Sequence, residues 1–204
     1  MGIVVSRKRK NSSRESSSAA GFDPYSSSRL LFHSQKWTLK MLTDAEKLLL
    51  LRTWGGDFDS MYSLGKDIYW GVFDRCPDAR KLFPEVAAAG ERWAESAQFR
   101  TQAIRFVVAL SNVIKFLHAP EKLDVILYAV GKAHRKYADR GFEPQHWNVF
   151  TVAITRAMEK HLGNGSRANK QFTEQERRAA VRIWQLIAEY LIRKMKFGFS
   201  SGEK

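Results

Sequence analysis

Residues 123–135 read Leu123-Asp124-Val125-Ile126-Leu127-Tyr128-Ala129-Val130-Gly131-Lys132-Ala133-His134-Arg135. Leu123, Leu127, Val130 and His134 recur at intervals of three and four, the spacing of one helix face. Lys132, Arg135 and Lys136 fall on other faces, so His134 points inward while its charged neighbours are solvated. An inward imidazole has two readings. It is a satisfied core histidine, or it is the neutral nitrogen donor that a single axial metal bond requires.

Outward from this stretch, the apolar period stays at three to four from Thr43 onward. No strand alternation and no internal repeat interrupts it, so the fold class is all-α. Thr43-Asp44-Ala45-Glu46 is a capping box ahead of Leu48, Leu49, Leu50, Leu51 and Trp54, and Gly55-Gly56 ends that helix. A second helix is expected from about Ser60 to Arg75, with Tyr69, Val72, Phe73 and Cys76 on one stripe. Pro77 opens a short segment to Phe83. Pro84 and residues 86–90 read as a break. A long helix is expected from about Ala94 to Leu117, with Phe99, Ala103, Phe106, Leu110, Val113 and Leu117 inward. Pro120 suits the first position of the next helix. Pro144 opens another, carrying Trp147, Phe150, Ile154 and Met158 to Gly163. Thr173-Glu174-Gln175-Glu176 is a second capping box, opening a last helix with Val181, Trp184, Ile187, Leu191 and Met195 inward.

The order of these residues resembles the globin fold, six to eight helices around a haem pocket. Cys76-Pro77-Asp78-Ala79-Arg80-Lys81-Leu82-Phe83-Pro84 is similar to the globin corner segment, and Trp54 to the tryptophan common in the first globin helix. The stretch Gly141-Phe142-Glu143-Pro144-Gln145-His146-Trp147-Asn148-Val149-Phe150 resembles invertebrate, nematode-like intracellular globins most. The resemblance spans residues 43–197. It implies haem b as cofactor, His134 as proximal iron ligand, and Phe83 stacked on the haem. It also implies Val130 and Phe106 against the haem, and Arg105 either on a propionate or in solvent. Gln102 stands where neuroglobin-like chains carry the distal histidine, a departure that argues against a bis-histidine iron. Tyr69, fourteen positions before Phe83, falls where the family faces bound ligand. A phenol and an amide both donate hydrogen bonds. The resemblance thus implies that Tyr69 and Gln102 hold O2 from two sides, unless Tyr69 bonds within the protein and Gln102 turns to solvent.

The N-terminal end carries a different signal. Met1-Gly2-Ile3-Val4-Val5-Ser6 fits the N-myristoylation pattern with Gly2 as acceptor. One acyl chain binds membranes only marginally, and Arg7, Lys8, Arg9 and Lys10 supply the second, electrostatic signal toward an anionic inner leaflet. Residues 1–28 read as a basic, Ser-rich, disordered arm, whose serines are plain linker or a phosphorylation switch. Residues 29–42 regain apolar character and would place Leu30, Leu31, Trp37 and Met41 on one side of a short helix, with Leu39 off it. They pack on the domain or lie on lipid. Residues 198–204 read as a tail. The expected location is the cytoplasmic side of the plasma membrane or another membrane, with some protein in the cytosol.

Composition excludes several classes. The 204 residues contain one cysteine, Cys76, so no intrachain disulfide and no cysteine zinc site form. Cys76 reads as a small buried thiol or a redox group. No apolar run spans a bilayer, and no secretory signal is apparent. The formal charge of +13 calls for an anionic partner. The basic residues gather beside the lipid site and no recognition motif for nucleic acid is present, so lipid is favoured. Arg177, Arg178, Arg182, Arg193, Lys194 and Lys196 form a solvated or membrane-facing side of the last helix. His161, near a helix end, is expected to gain as a cation from the helix dipole. The functional expectation is reversible binding of O2 or another diatomic gas in oxygen or redox signalling. The alternative is a redox activity: superoxide generation, NO dioxygenation, or nitrite or peroxide reduction. Without a reductase domain, that alternative needs an external reductant.

Overall fold

The computed structural model describes residues 37–54, 57–163 and 172–202. The expectations for Gly2, for Arg7, Lys8, Arg9 and Lys10, for the serines, for Leu30 and Leu31 and for Gly55-Gly56 lie outside the described residues. Six helices of eight residues or more carry the fold: α1 (Asp44–Thr53), α2 (Phe58–Arg75), α3 (Ala97–Lys115), α4 (Pro120–His134), α5 (Asn148–Leu162) and α6 (Glu174–Ser200). No strand is present among the described residues.

Local chemistry sets where the helices start. Thr43 Oγ1 accepts from the Glu46 N–H and the Thr43 N–H donates to the Glu46 carboxylate at 2.8 Å, a complete capping box. Thr173 and Glu176 repeat it at the head of α6. Asp57 caps α2 through the Ser60 N–H, and Ser96 caps α3 through the Phe99 N–H. The Ser96 cap places the start of α3 at Ala97, not near Ala94 as expected. Residues 86–90 are not a simple break either. Pro84–Ala87 forms one α-helical turn and Gly90–Glu95 a 3-10 turn, with Gly90 at φ +60°. Proline at the first position starts such a turn without losing a bond.

The helices pack as α2 on α3 and α5, α4 and α5 on α6, and α1 on α6. Two glycines permit the close crossings. At Gly65 a Cβ would stand 2.6 Å from the Ala103 carbonyl oxygen, so α2 meets α3 only through glycine. At Gly131 a Cβ would collide with the Met195 backbone, which seats α4 on α6 three residues before His134.

The packed core extends past residues 43–197 at both ends. Trp37, Leu39 and Leu42 are buried in it, and Phe199 packs with Trp147 and Phe142. Residues 39–41 form a 3-10 turn, too short for the helical stripe expected there. That turn buries Leu39 completely and leaves Met41 exposed, the reverse of the expectation. The basic side of α6 is also more engaged than a solvated face. Arg177 and Arg178 bond Glu174, Arg193 donates to the Trp37 carbonyl, Lys194 bonds Asp124 and Lys196 bonds Asn148.

One buried polar pair ties α1 to α6. The Trp184 indole N–H donates to Thr53 Oγ1 at 3.0 Å, both groups being buried, while the Trp54 ring lies tilted against Trp184 at 5.3 Å. Thr53→Val keeps the volume but leaves that N–H without an acceptor. The expected cost is about 1–3 kcal/mol in chemical unfolding of the apo-protein, with unchanged helicity. A loss below the error of the measurement would mean the indole finds another partner.

Candidate haem pocket

Two aromatic groups face each other across the interior. The first surrounds Tyr69, which α2 places on its buried face at 3% exposure. The rings of Phe73, Phe83, Phe106 and Phe150 stand 5.3–5.7 Å from it, three of them edge-on. Gln102 reaches in from α3, and its Nε2 donates to the Tyr69 phenol oxygen at 2.7 Å. The phenol therefore accepts. Its own O–H has no acceptor among the described residues. A buried donor left in this way costs free energy unless something binds it. Burial pushes the Tyr69 phenol up to about 12, against the lowering effect of the Gln102 bond, so it stays a neutral donor at physiological pH.

The second group surrounds His134 at the last residue of α4. Its Nδ1 lies 2.8 Å from the Val130 carbonyl oxygen, one helical turn back. A neutral ring donates Nδ1–H to that carbonyl, which leaves the Nε2 lone pair outward, with no hydrogen-bond partner among the described residues. Tyr137, Phe142 and Trp147 ring the imidazole at 5.2–5.6 Å. Burial, the largest cause, and nearby Lys136 lower the His134 pKa, while the Val130 bond opposes them. The neutral form that can donate to a metal is favoured. Phe150 packs against both groups, on Tyr69 and Phe106 and beside Phe142 and Trp147.

The structure thus brings together Tyr69, Gln102, Phe83 and Phe106 on one side and Val130 and His134 on the other. Val130 acts through its carbonyl. Arg105 is exposed, three residues after Gln102, and makes no hydrogen bond or ion pair among the described residues. Spacing assigns Trp147 and Phe150 to packing and gives Tyr137 no role, yet their rings line the site. The aromatic spacing after His134 (Tyr137, Phe142, Trp147, Phe150) was the available signal. Helical periodicity does not report that Tyr137, Phe142 and Trp147 converge on the imidazole while Phe150 meets Tyr69. His161 is a correction: burial lowers its pKa despite Asp67 and Asp57, because desolvation outweighs the favourable charges at the helix end.

These shifts have a sign. His134 and His161 have folded pKa values below the ordinary 6.5, so the unfolded chain takes up protons first as pH falls. Their contribution to stability is complete above about pH 6.5 and is lost as pH drops below it. The thermal midpoint of the apo-protein should fall between about pH 7 and about pH 5, and His134→Gln should reduce that fall. A midpoint that is flat over this interval would contradict the assignment.

The Globin family profile matches residues 66–190. The chain is 29% identical over 164 residues to globin-related protein glb-13 of Caenorhabditis elegans, a match covering 78% of this chain and 52% of that protein. The chain thus spans about half the length of that relative. It is 28% identical over 152 residues to cytoglobin-2 of Danio rerio, covering 73% of this chain and 83% of the other. Its fold resembles that of a hexacoordinated heme protein from an anhydrobiotic tardigrade, with a TM-score of 0.63 at 21% identity, over 78% of this chain and 95% of that one. The chain belongs to the globin family. The cofactor of that family is haem b, and the donor set fits it: one neutral imidazole with a bare Nε2, aromatic walls, and a glycine-seated helix beneath.

Proposed function

We propose that this globin binds O2, or another diatomic gas, reversibly, from a tethered position on the cytoplasmic face of a membrane, in oxygen or redox signalling. Haem b, when bound, supplies a ferrous iron that takes up a gas molecule reversibly at its open position. The protein's part is carried by named groups. His134 Nε2 would hold the cofactor, and the Val130 carbonyl fixes the ring and its tautomer. Phe83, Phe106 and Phe150 exclude water. Arg105, exposed on the same helix as Gln102, is the cation this reading assigns to a propionate. The Tyr69 O–H, lacking an acceptor among the described residues, is the observation that carries gas binding. A partly negative oxygen is the acceptor it lacks, and Gln102 both orients the phenol and adds a second donor.

The test is the visible spectrum of the haem-loaded protein, reduced without O2 and then exposed to it. A single broad deoxy band that splits on O2 supports the reading. Sharp split bands before O2 would mean an internal sixth ligand and would displace O2 binding in favour of electron transfer to or from an external reductant.

The tether reading rests on Gly2 followed by Arg7, Lys8, Arg9 and Lys10. Among the described residues no helix is long and apolar enough to cross a membrane. Gly2→Ala should move the protein from the membrane to the soluble fraction of expressing cells. Equal partitioning of the two proteins would remove the tether.

A further inference from the structure

We propose that the face formed by α4 and the C-terminal part of α6 is the side of the domain that rests on an anionic bilayer, an inference that rests on the tethered reading above. The chain emerges on this side. Trp37 is pinned there: it is buried, its ring meets Tyr190 edge-on at 6.1 Å, and its carbonyl accepts from Arg193 of α6. Leu30, Leu31 and Phe32 stand five to seven residues earlier. Fully extended, that stretch reaches no more than about 25 Å. On the tethered reading, lipid that takes up these side chains lies no farther than that from Trp37.

The face of α4 and α6 has the chemistry for lipid. Phe197, one turn beyond Arg193 on the same face, is 66% exposed and stands 5.9 Å from the Tyr128 ring of α4. Val125, one turn before Tyr128, is 70% exposed, more than any other large apolar side chain among the described residues. Lys122 and Lys132 are exposed three before and seven after Val125, on the same stripe of α4. Asp124 is already paired with Lys194 at 2.7 Å and accepts from the Tyr190 hydroxyl, which leaves Glu121 as the exposed acid of that helix. The other exposed aromatics have less suitable neighbours. Trp70 is already packed on Trp93 at 5.2 Å, and Phe58 stands between Asp57 and Asp59, which an anionic surface repels.

The experiment uses the full-length, N-myristoylated, haem-loaded protein and phosphatidylcholine vesicles with and without phosphatidylserine, read by co-sedimentation. The variant Val125→Asp with Phe197→Asp should lower partitioning onto the phosphatidylserine vesicles roughly tenfold, and Lys122→Glu with Lys132→Glu by a similar factor. Val108→Asp, at an apolar position of α3 that is also more than half exposed, should change nothing. The lysine pair is solvated, so its variant keeps the question open to measurement should the apolar pair disturb folding. If the wild-type protein binds while both double variants bind as strongly as it does, the face assignment falls and the tether stands. If the wild-type protein itself does not bind, or Gly2→Ala binds equally, the tether falls and takes the face with it. Light scattering in the absence of vesicles supplies the remaining outcome. A dimer that Phe197→Asp converts to monomer would make this face a self-association surface and overturn the proposal.

Discussion

Replacing His134 by glycine should abolish stable haem retention, and added imidazole should restore it. On the proposed reading the imidazole is the nitrogen donor of the pocket, and its geometry is set by the protein alone. Nδ1 is held 2.8 Å from the Val130 carbonyl and the ring is bracketed by Tyr137, Phe142 and Trp147. Loss even of a supporting bond to a metal ligand costs roughly 10–100-fold in metal affinity, and loss of the ligand itself should exceed that range. The cavity left by glycine is lined by the same aromatic rings and by the Val130 carbonyl, so free imidazole can take the same place with the same hydrogen bond. The readout is the absorption spectrum and the rate of haem transfer to an acceptor protein. His134 is only partly buried, so the apo-protein should remain folded. An unaltered spectrum in His134→Gly without imidazole would remove His134 from the site.

Tyr69→Phe should raise the O2 dissociation rate roughly tenfold, from loss of one hydrogen bond, worth on the order of 1 kcal/mol, in a pocket that excludes water. The ring itself is retained, with its contacts to Phe73, Phe83, Phe106 and Phe150. Gln102→Leu should act in the same direction. The two effects should not add, because the amide nitrogen and the phenol oxygen are bonded to each other at 2.7 Å. Removing either one also disorients its partner, so the double variant should lose less than the sum of the two single losses. The Tyr69 phenol is pushed up to about 12 by burial. The difference between wild type and Tyr69→Phe should therefore be constant across the physiological range. Strict additivity would mean that the two groups act on ligand independently, and an unchanged dissociation rate would take Tyr69 out of the pocket.

The helices were legible because their signals are local. Thr43 and Thr173 each meet a glutamate three residues on, and the bonds close within one turn whatever the rest of the chain does. Pro120 marks the head of α4 for the same reason. The inward side of α4 followed from spacing alone, and so did the placing of Tyr69 and Gln102 once the family resemblance had set their register. Residues 37–42 show where that reasoning stops. Their apolar residues satisfy a helical stripe on paper, yet the chain makes only a 3-10 turn and sinks Leu39 in place of Met41. The choice is made by α6, whose Tyr190 and Arg193 hold Trp37 from more than 150 residues away.

The sequence by itself determined that this is an all-helical globin chain with one inward histidine, a phenol and an amide in reach of one another, and a pattern that fits N-myristoylation beside a basic cluster. Periodicity, caps and composition are properties of neighbouring residues. Tertiary structure alone decided which way the hydrogen bond between Gln102 and Tyr69 runs, leaving the phenol O–H without a described acceptor. It also decided that Phe142, Trp147 and Tyr137 converge on His134, and that Trp37 is held by Tyr190 and Arg193 of α6. Each of these depends on how closely two helices cross. That distance is set by glycines such as Gly65 and Gly131 meeting a backbone far away in the chain, which no local pattern encodes.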